Sequence, residues 1–171
     1  MKKYFFLFFF LFFFNNSFAE EKIVYLDVNI LLTESDAGKY INNELKIIND
    51  KNIEEFKKLE LSIKSGEENL LKQKNILKKE DYEKKVLDLQ KKFQSYQEER
   101  KKKNAELNQL RNNAGNQILK HINEILTNYS QNKSISLIIE KKNVVIGKTD
   151  LDVTSEVLTL LNKKIKKIEL Q

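Results

Sequence analysis

Few residues in this 171-residue sequence are arranged so that they could do chemistry. There is no cysteine and a single histidine, His121. That excludes disulfide frameworks, cysteine-based zinc sites, cysteine nucleophiles and histidine-rich metal centres. No GxGxxG, Walker, GxSxG or HExxH pattern occurs. Acidic pairs such as Glu54-Glu55, Glu67-Glu68 and Glu98-Glu99 stand next to lysines at helical spacing, so they read as solvated faces. The triplets Asn128-Tyr129-Ser130 and Asn132-Lys133-Ser134 match glycosylation sequons but suit an asparagine-rich composition equally well. The sequence therefore predicts no enzyme, no catalytic residue, no metal and no cofactor.

One charge cluster stands out, Arg100-Lys101-Lys102-Lys103, with Lys84-Lys85 and Lys91-Lys92 upstream. Four consecutive cations on a helix point all round instead of forming one face. Three readings compete: a solvated surface, an attractive surface for acidic partners or anionic lipid, and a nucleic-acid patch. No aromatic residues interleave for base stacking. Export, which the N-terminal segment implies, also disfavours nucleic acid.

The chain opens Met1-Lys2-Lys3, runs apolar from Tyr4 to Phe14, and reaches Ser17-Phe18-Ala19. A positive start, a short apolar run and a small-x-small end match a secretory signal. The apolar run falls short of the roughly 20 residues that span a bilayer. Cleavage after Ala19 is expected, with an uncleaved anchor as the alternative. Without the signal, 29 basic residues face 25 acidic ones, so the net charge drops from +6 to +4.

High charge with few aromatics could signal disorder, but the apolar residues are periodic. Val86, Leu89, Phe93, Tyr96, Arg100, Lys103, Leu107, Leu110 and Ala114 follow alternating steps of three and four, the coiled-coil spacing. A weaker stripe runs through Ile41, Leu45, Ile48, Asn52, Phe56, Leu59, Ile63, Gly66, Leu70 and Leu77. It breaks at Lys78-Lys79-Glu80-Asp81-Tyr82. Two helices of roughly 40 residues, each about 60 Å long, would meet there as an antiparallel hairpin. Folding at residue 81 sets Leu77 opposite Lys85 and Val86, Leu70 opposite Phe93, and Gly66 opposite Tyr96. Ile63 then faces Arg100 and Leu59 faces Lys103, a cationic stretch that either loosens the seam or lays its stems along the first helix.

Shorter apolar segments flank the hairpin. Ile23, Val24 and Leu26 lie in a β-rich run; Leu137-Ile138-Ile139 and Val144-Val145-Ile146 read as a β-hairpin around a polar four-residue loop. Asp150 to Asp152 offers a cap for a final helix from about Val153. Three strands apolar on both faces and one short helix cannot cover themselves. A second copy is the simplest cover, so these nine strand residues are assigned to oligomerisation. The fold class is α+β, mainly α: a long antiparallel coiled-coil hairpin on a small β-rich oligomerisation body with a C-terminal helix.

The assembled order resembles the Skp/OmpH family of periplasmic chaperones. The residues that carry it are Lys22-Ile-Val-Tyr-Leu-Asp27, the stretch from Tyr96 to Glu106, Ile135 to Glu140, Asn143 to Ile146, and Asp152 to Leu158. The resemblance implies a homotrimer in which residues 20–35 and 132–171 form the body and 36–131 the tentacle, its tip near 78–82, behind a signal peptide at 1–19. It implies an ATP-independent holdase in the periplasm. Its partners would be unfolded outer-membrane β-barrel proteins, held between tentacles, kept from aggregating and delivered for outer-membrane assembly.

It also implies a lipopolysaccharide-binding motif. The motif's upstream lysine matches Lys92, and its two arginines fall on Lys102 and Lys103, which lack the bidentate fork that suits phosphate. Its glutamine falls near Ala114, which has no donor. The alternatives are an envelope coiled-coil tether or an anion- or lipopolysaccharide-binding protein.

Overall fold

The computed structural model describes residues 21–170, so the expected signal at 1–19 lies outside the described residues. The chain runs β1 (Lys22–Leu26), α1 (Val28–Glu34), α2 (Asp36–Gln73), α3 (Lys79–Lys133), β2 (Ile135–Glu140) and α4 (Thr154–Lys164), with 3-10 turns at Lys141–Asn143 and Thr149–Leu151. It is mainly helical with a two-stranded sheet, and α2 and α3 form the long antiparallel hairpin. At 38 and 55 residues these helices run about 57 and 82 Å. Among the described residues, no helix is long and apolar enough to cross a membrane.

Both hairpin stripes are the covered positions. Every residue of the first stripe, from Ile41 to Leu77, is buried or half-buried. In the second stripe only Phe93 and Arg100 are exposed. The turn, however, lies at 74–78, with Leu77 N–H donating to Gln73 O at 3.0 Å. Glu80 and Asp81 belong to the first turn of α3, where carboxylates favour the positive end of the helix dipole. The earlier turn shifts the register. Lys85 Nζ donates to Gln73 at 2.6 Å and Lys92 Nζ to Ser62 at 2.6 Å. Gly66 therefore faces Leu89, whose Cδ1 would lie 3.0 Å from an added Cβ, and not Tyr96.

The sheet also differs from expectation. β1 and β2 pair in parallel, with Ile23 beside Leu137 and Val24 beside Ile138. Val144, Val145 and Ile146 form no strand, and the expected β-hairpin is absent. The cause is local. Val144 N–H closes a 3-10 turn onto Lys141 O at 3.0 Å, and Tyr25 then draws the chain across β1. Its hydroxyl donates to Lys148 O at 3.0 Å, and its ring lies 2.7 Å from where a Gly147 Cβ would sit. The remaining edge of β1 takes residues 152–153 instead, through Val153 N–H to Tyr25 O at 2.9 Å.

One hydrophobic cluster unites the body with the base of the hairpin. It includes Val24 and Leu26 of β1, Leu31 of α1, Ile41 and Leu45 of α2, Ile118 and Ile122 of α3, and Val157 and Leu161 of α4. A fully buried Leu or Ile here contributes about 1.5–3 kcal/mol. The polar groups in this core are satisfied. Asp27 N–H donates to Thr154 Oγ1 at 2.9 Å, and that hydroxyl donates to Asp152 Oδ1 at 2.5 Å. Burial raises the Asp152 carboxyl, but hydrogen bonds from Lys141 and Thr154 outweigh it and hold the group below the usual range. Tyr129 of α3 donates to Glu156 of α4 at 2.5 Å. Burial first, then that carboxylate, push its hydroxyl up to about 12.

Between α1 and α2 the chain bends within one residue. Ser35, fully buried, caps α2 by accepting from Gly38 N–H at 3.1 Å. A Cβ on Gly38 would sit 2.1 Å from the Leu32 carbonyl oxygen, a backbone atom that cannot swing aside. Around Gly115 of α3, by contrast, a Cβ meets nothing within 4 Å. Gly38→Ala should therefore destabilise the fold by about 1–3 kcal/mol, and Gly115→Ala should stabilise it by about 0.5–1 kcal/mol. Denaturant melts of the two variants check the opposite signs.

Candidate functional site

No compact site gathers the chemistry. Among the described residues, no three His, Cys, Asp or Glu side chains group to hold a metal. His121 sits on α3 with Nδ1 3.8 Å from Glu124 Oε2 and no hydrogen bond to that nitrogen. Glu124 is instead held by Lys164 of α4 at 2.5 Å, and that hydrogen bond pulls its carboxyl below the usual range.

The cations singled out from the sequence do not converge. Lys92 turns toward α2 and bonds Ser62. Lys102 and Lys103 share Glu106, at 4.0 and 3.8 Å. Ten residues of helix, about 15 Å, separate Lys92 from Lys102. Exposed pairs of this kind contribute little to stability and leave the charges spread along the hairpin.

Around Arg100 the sequence left open a loosened seam or cationic stems laid along the first helix; the structure shows a packed node beside it. Tyr96 is buried, donates its hydroxyl to Glu60 and accepts from Arg100 Nη1 at 3.1 Å. The Glu60 hydrogen bond raises the Tyr96 hydroxyl. Phe56 packs edge-on against the Tyr96 ring, with centroids 6.0 Å apart, and Ile63 is buried as well. Glu60 lies on the opposite helix, and only the register of the folded hairpin brings it to Tyr96. Much apolar surface elsewhere stays bare: Ile47, Ile53, Leu61, Leu71, Ile76 and Leu87 are all more than half exposed.

The strand residues divide by face. Val24 and Leu26 are buried and Ile138 is half-buried against the core, while Ile139 is half-buried beside Tyr25. Ile23 is 43% and its neighbour Leu137 51% exposed, and Val145 and Ile146 stand almost wholly in solvent. The outer edge of β2 has no paired strand among the described residues.

Comparison with known proteins places this architecture in a family. The family model "Outer membrane protein (OmpH-like)" matches residues 22–161. The chain belongs to this OmpH-like family. A solved structure described as a candidate outer membrane chaperone (OmpH-like) from Caulobacter crescentus CB15 has the same fold, with a TM-score of 0.80 and 18% identity. The match covers 88% of this chain and 89% of that one. No curated protein matches the sequence.

In this OmpH-like chain the packed node fixes the middle of the hairpin independently of the body core. Tyr96→Ala should cost about 2 kcal/mol of local stability. Hydrogen exchange of α2 and α3 amides around Phe56 and Tyr96 should quicken, while amides near Ile118 and Ile122 keep their rates.

Proposed function

We propose that this OmpH-like chain is an ATP-independent periplasmic holdase. It binds unfolded outer-membrane β-barrel proteins between the hairpins of a homotrimer, prevents their aggregation and releases them for outer-membrane assembly. The observation that carries this reading is the apolar surface that the single chain cannot bury. In the body, Ile23, Leu137, Val145 and Ile146 lie bare beside the open edge of β2, and such an edge needs covering. Further copies of the chain supply that cover, and Val144, Val145 and Ile146 join the interface without being strands in the lone chain.

The hairpins suit weak and distributed binding. They carry isolated apolar side chains among lysines: Ile47, Ile53, Leu61, Leu71, Ile76 and Leu87. A barrel strand alternates apolar and polar residues, so many shallow contacts hold it better than one specific pocket. Family membership and the likeness to the candidate chaperone support the role. The signal read at residues 1–19 supports the periplasmic location. Against an anion- or lipopolysaccharide-binding role stand the dispersed positions of Lys92, Lys102 and Lys103.

Native mass of the chain from Glu20 to Gln171, alone and with a urea-unfolded barrel protein, tests the proposal. A trimer that gains one client is expected. A trimer that gains none favours the envelope tether or anion-binding alternatives, and a monomer removes the assembly altogether. The mild positive charge of the mature chain gives a second expectation. Client affinity should fall as ionic strength rises, because screening weakens long-range attraction between the basic hairpins and acidic clients; a titration across salt concentrations reads it.

A further inference from the structure

Along α2, Asn49, Asn52, Ile53, Phe56 and Glu60 follow one another at steps of three, one, three and four, so they share one helix face. Against them α3 sets Arg100 and Asn104, one turn apart. These residues line one groove between the two helices, of about 510 Å³. Clefts for small groups span roughly 300–1,000 Å³, so the groove suits a side chain and not a length of chain. Its three amides are unspent. Asn49 and Asn52 are half-buried and Asn104 is exposed, and no side-chain amide of the three bonds another group among the described residues. A half-buried amide without a protein partner is costly unless water or a ligand serves it.

The charges in the groove narrow the choice of guest. Glu60 is already engaged, accepting from Tyr96 and lying 3.7 Å from Arg100 Nη1. That Nη1 also donates to the Tyr96 hydroxyl at 3.1 Å, yet the Arg100 side chain stays 56% exposed. The packed node therefore fixes the guanidinium in place without covering it. Lys57 also lines the groove and has no carboxylate partner among the described residues. The apolar part is Phe56 and the exposed Ile53. A carboxylate guest would suit the two cations but would meet Glu60 and the apolar wall. An aliphatic guest would leave the cations and the amides unused.

An aromatic ring with a polar edge uses every one of these groups. Its π face attracts Arg100 and Lys57, and its body packs on Phe56 and Ile53. A phenol hydroxyl or indole N–H then meets amides that offer both a donor and an acceptor. We infer that this groove binds a tyrosine or tryptophan side chain of an unfolded partner. Membrane β-barrels carry girdles of aromatic residues at both interfaces, tyrosine and tryptophan above all, so the proposed clients present such side chains repeatedly. The inference rests on the holdase reading and names which residues of the client are held. Each hairpin offers one such groove for one side chain, so each contact is weak and a held client exchanges its contacts.

The test uses the mature chain, the triple variant Asn49→Ala, Asn52→Ala and Asn104→Ala, and the single variant Ile53→Ser. Alanine is a better helix former than asparagine and Ile53 is exposed, so both variants stay folded. The probes are short soluble glycine–serine peptides with one central tyrosine, phenylalanine, leucine or aspartate. NMR titration, followed on the backbone amides around Ile53 and Phe56, reads the affinities. On the wild type the tyrosine peptide should bind tightest. Phenylalanine should lose about two- to tenfold, the worth of one hydrogen bond, and leucine about two- to fivefold more, the worth of a cation–π contact. On the triple variant tyrosine and phenylalanine should bind alike, and Ile53→Ser should weaken both. Four results overturn the inference: tyrosine no tighter than phenylalanine on the wild type, a tyrosine preference that survives the triple variant, aspartate as tight as tyrosine, or no binding. The holdase reading fails separately, if the wild type does not suppress aggregation of a urea-unfolded barrel protein.

Discussion

The rest of the architecture depends on the parallel pairing of β1 and β2. Two parallel neighbours cannot be joined by a tight turn, so the chain between them must leave the sheet and return. Here the connection is residues 27 to 134, and almost all of it is two helices. The hairpin is thus the crossover of a two-stranded sheet and not an appendage on a finished domain. Its base shares the core cluster with both strands and α4. The same constraint explains the bend at Ser35 and Gly38. There α1 packs on the core, and α2 must start outward within one residue, close enough to the Leu32 carbonyl that only glycine fits.

Much of this was legible because helical period is a one-dimensional signal. The stripe from Val86 to Ala114 and the one from Ile41 to Leu77 could be counted directly, and they are the covered faces. Register was not legible, because it depends on where the turn falls. Lys78 to Tyr82 break the stripe, but a broken stripe does not distinguish a turn from the polar first turn of a helix. Glu80 and Asp81 belong to the latter, and the misplacement moved every cross-helix partner, including Tyr96 away from Gly66 and onto Glu60.

β1 and β2 fall where the sequence placed them, but the third expected strand, Val144-Val145-Ile146, failed for a different reason. Leu137-Ile138-Ile139 and Val144-Val145-Ile146 with four polar residues between them are locally a good β-hairpin. What overrides that preference is tertiary: the Tyr25 ring and hydroxyl hold Gly147 and Lys148, and residues 152–153 occupy the remaining edge of β1. Neither contact leaves a trace in local sequence. The basic candidates met a similar limit. Lys92, Lys102 and Lys103 were grouped only by the motif that the resemblance implies, and the fold turns Lys92 to Ser62 and the other two to Glu106.

These features set where the hairpin is rigid. The body core holds its base, and the node of Phe56, Ile63 and Tyr96 clamps its middle. Between them the seam carries Asn52 and Lys103, which add little apolar burial. Two helices alone expose most of their surface, so each such node has large local weight and the spans between nodes have little. Off the seam, Ile47, Ile53, Leu61, Leu71, Ile76 and Leu87 stay in solvent. Lysine and glutamate between these exposed apolar residues keep them from merging into one large apolar patch.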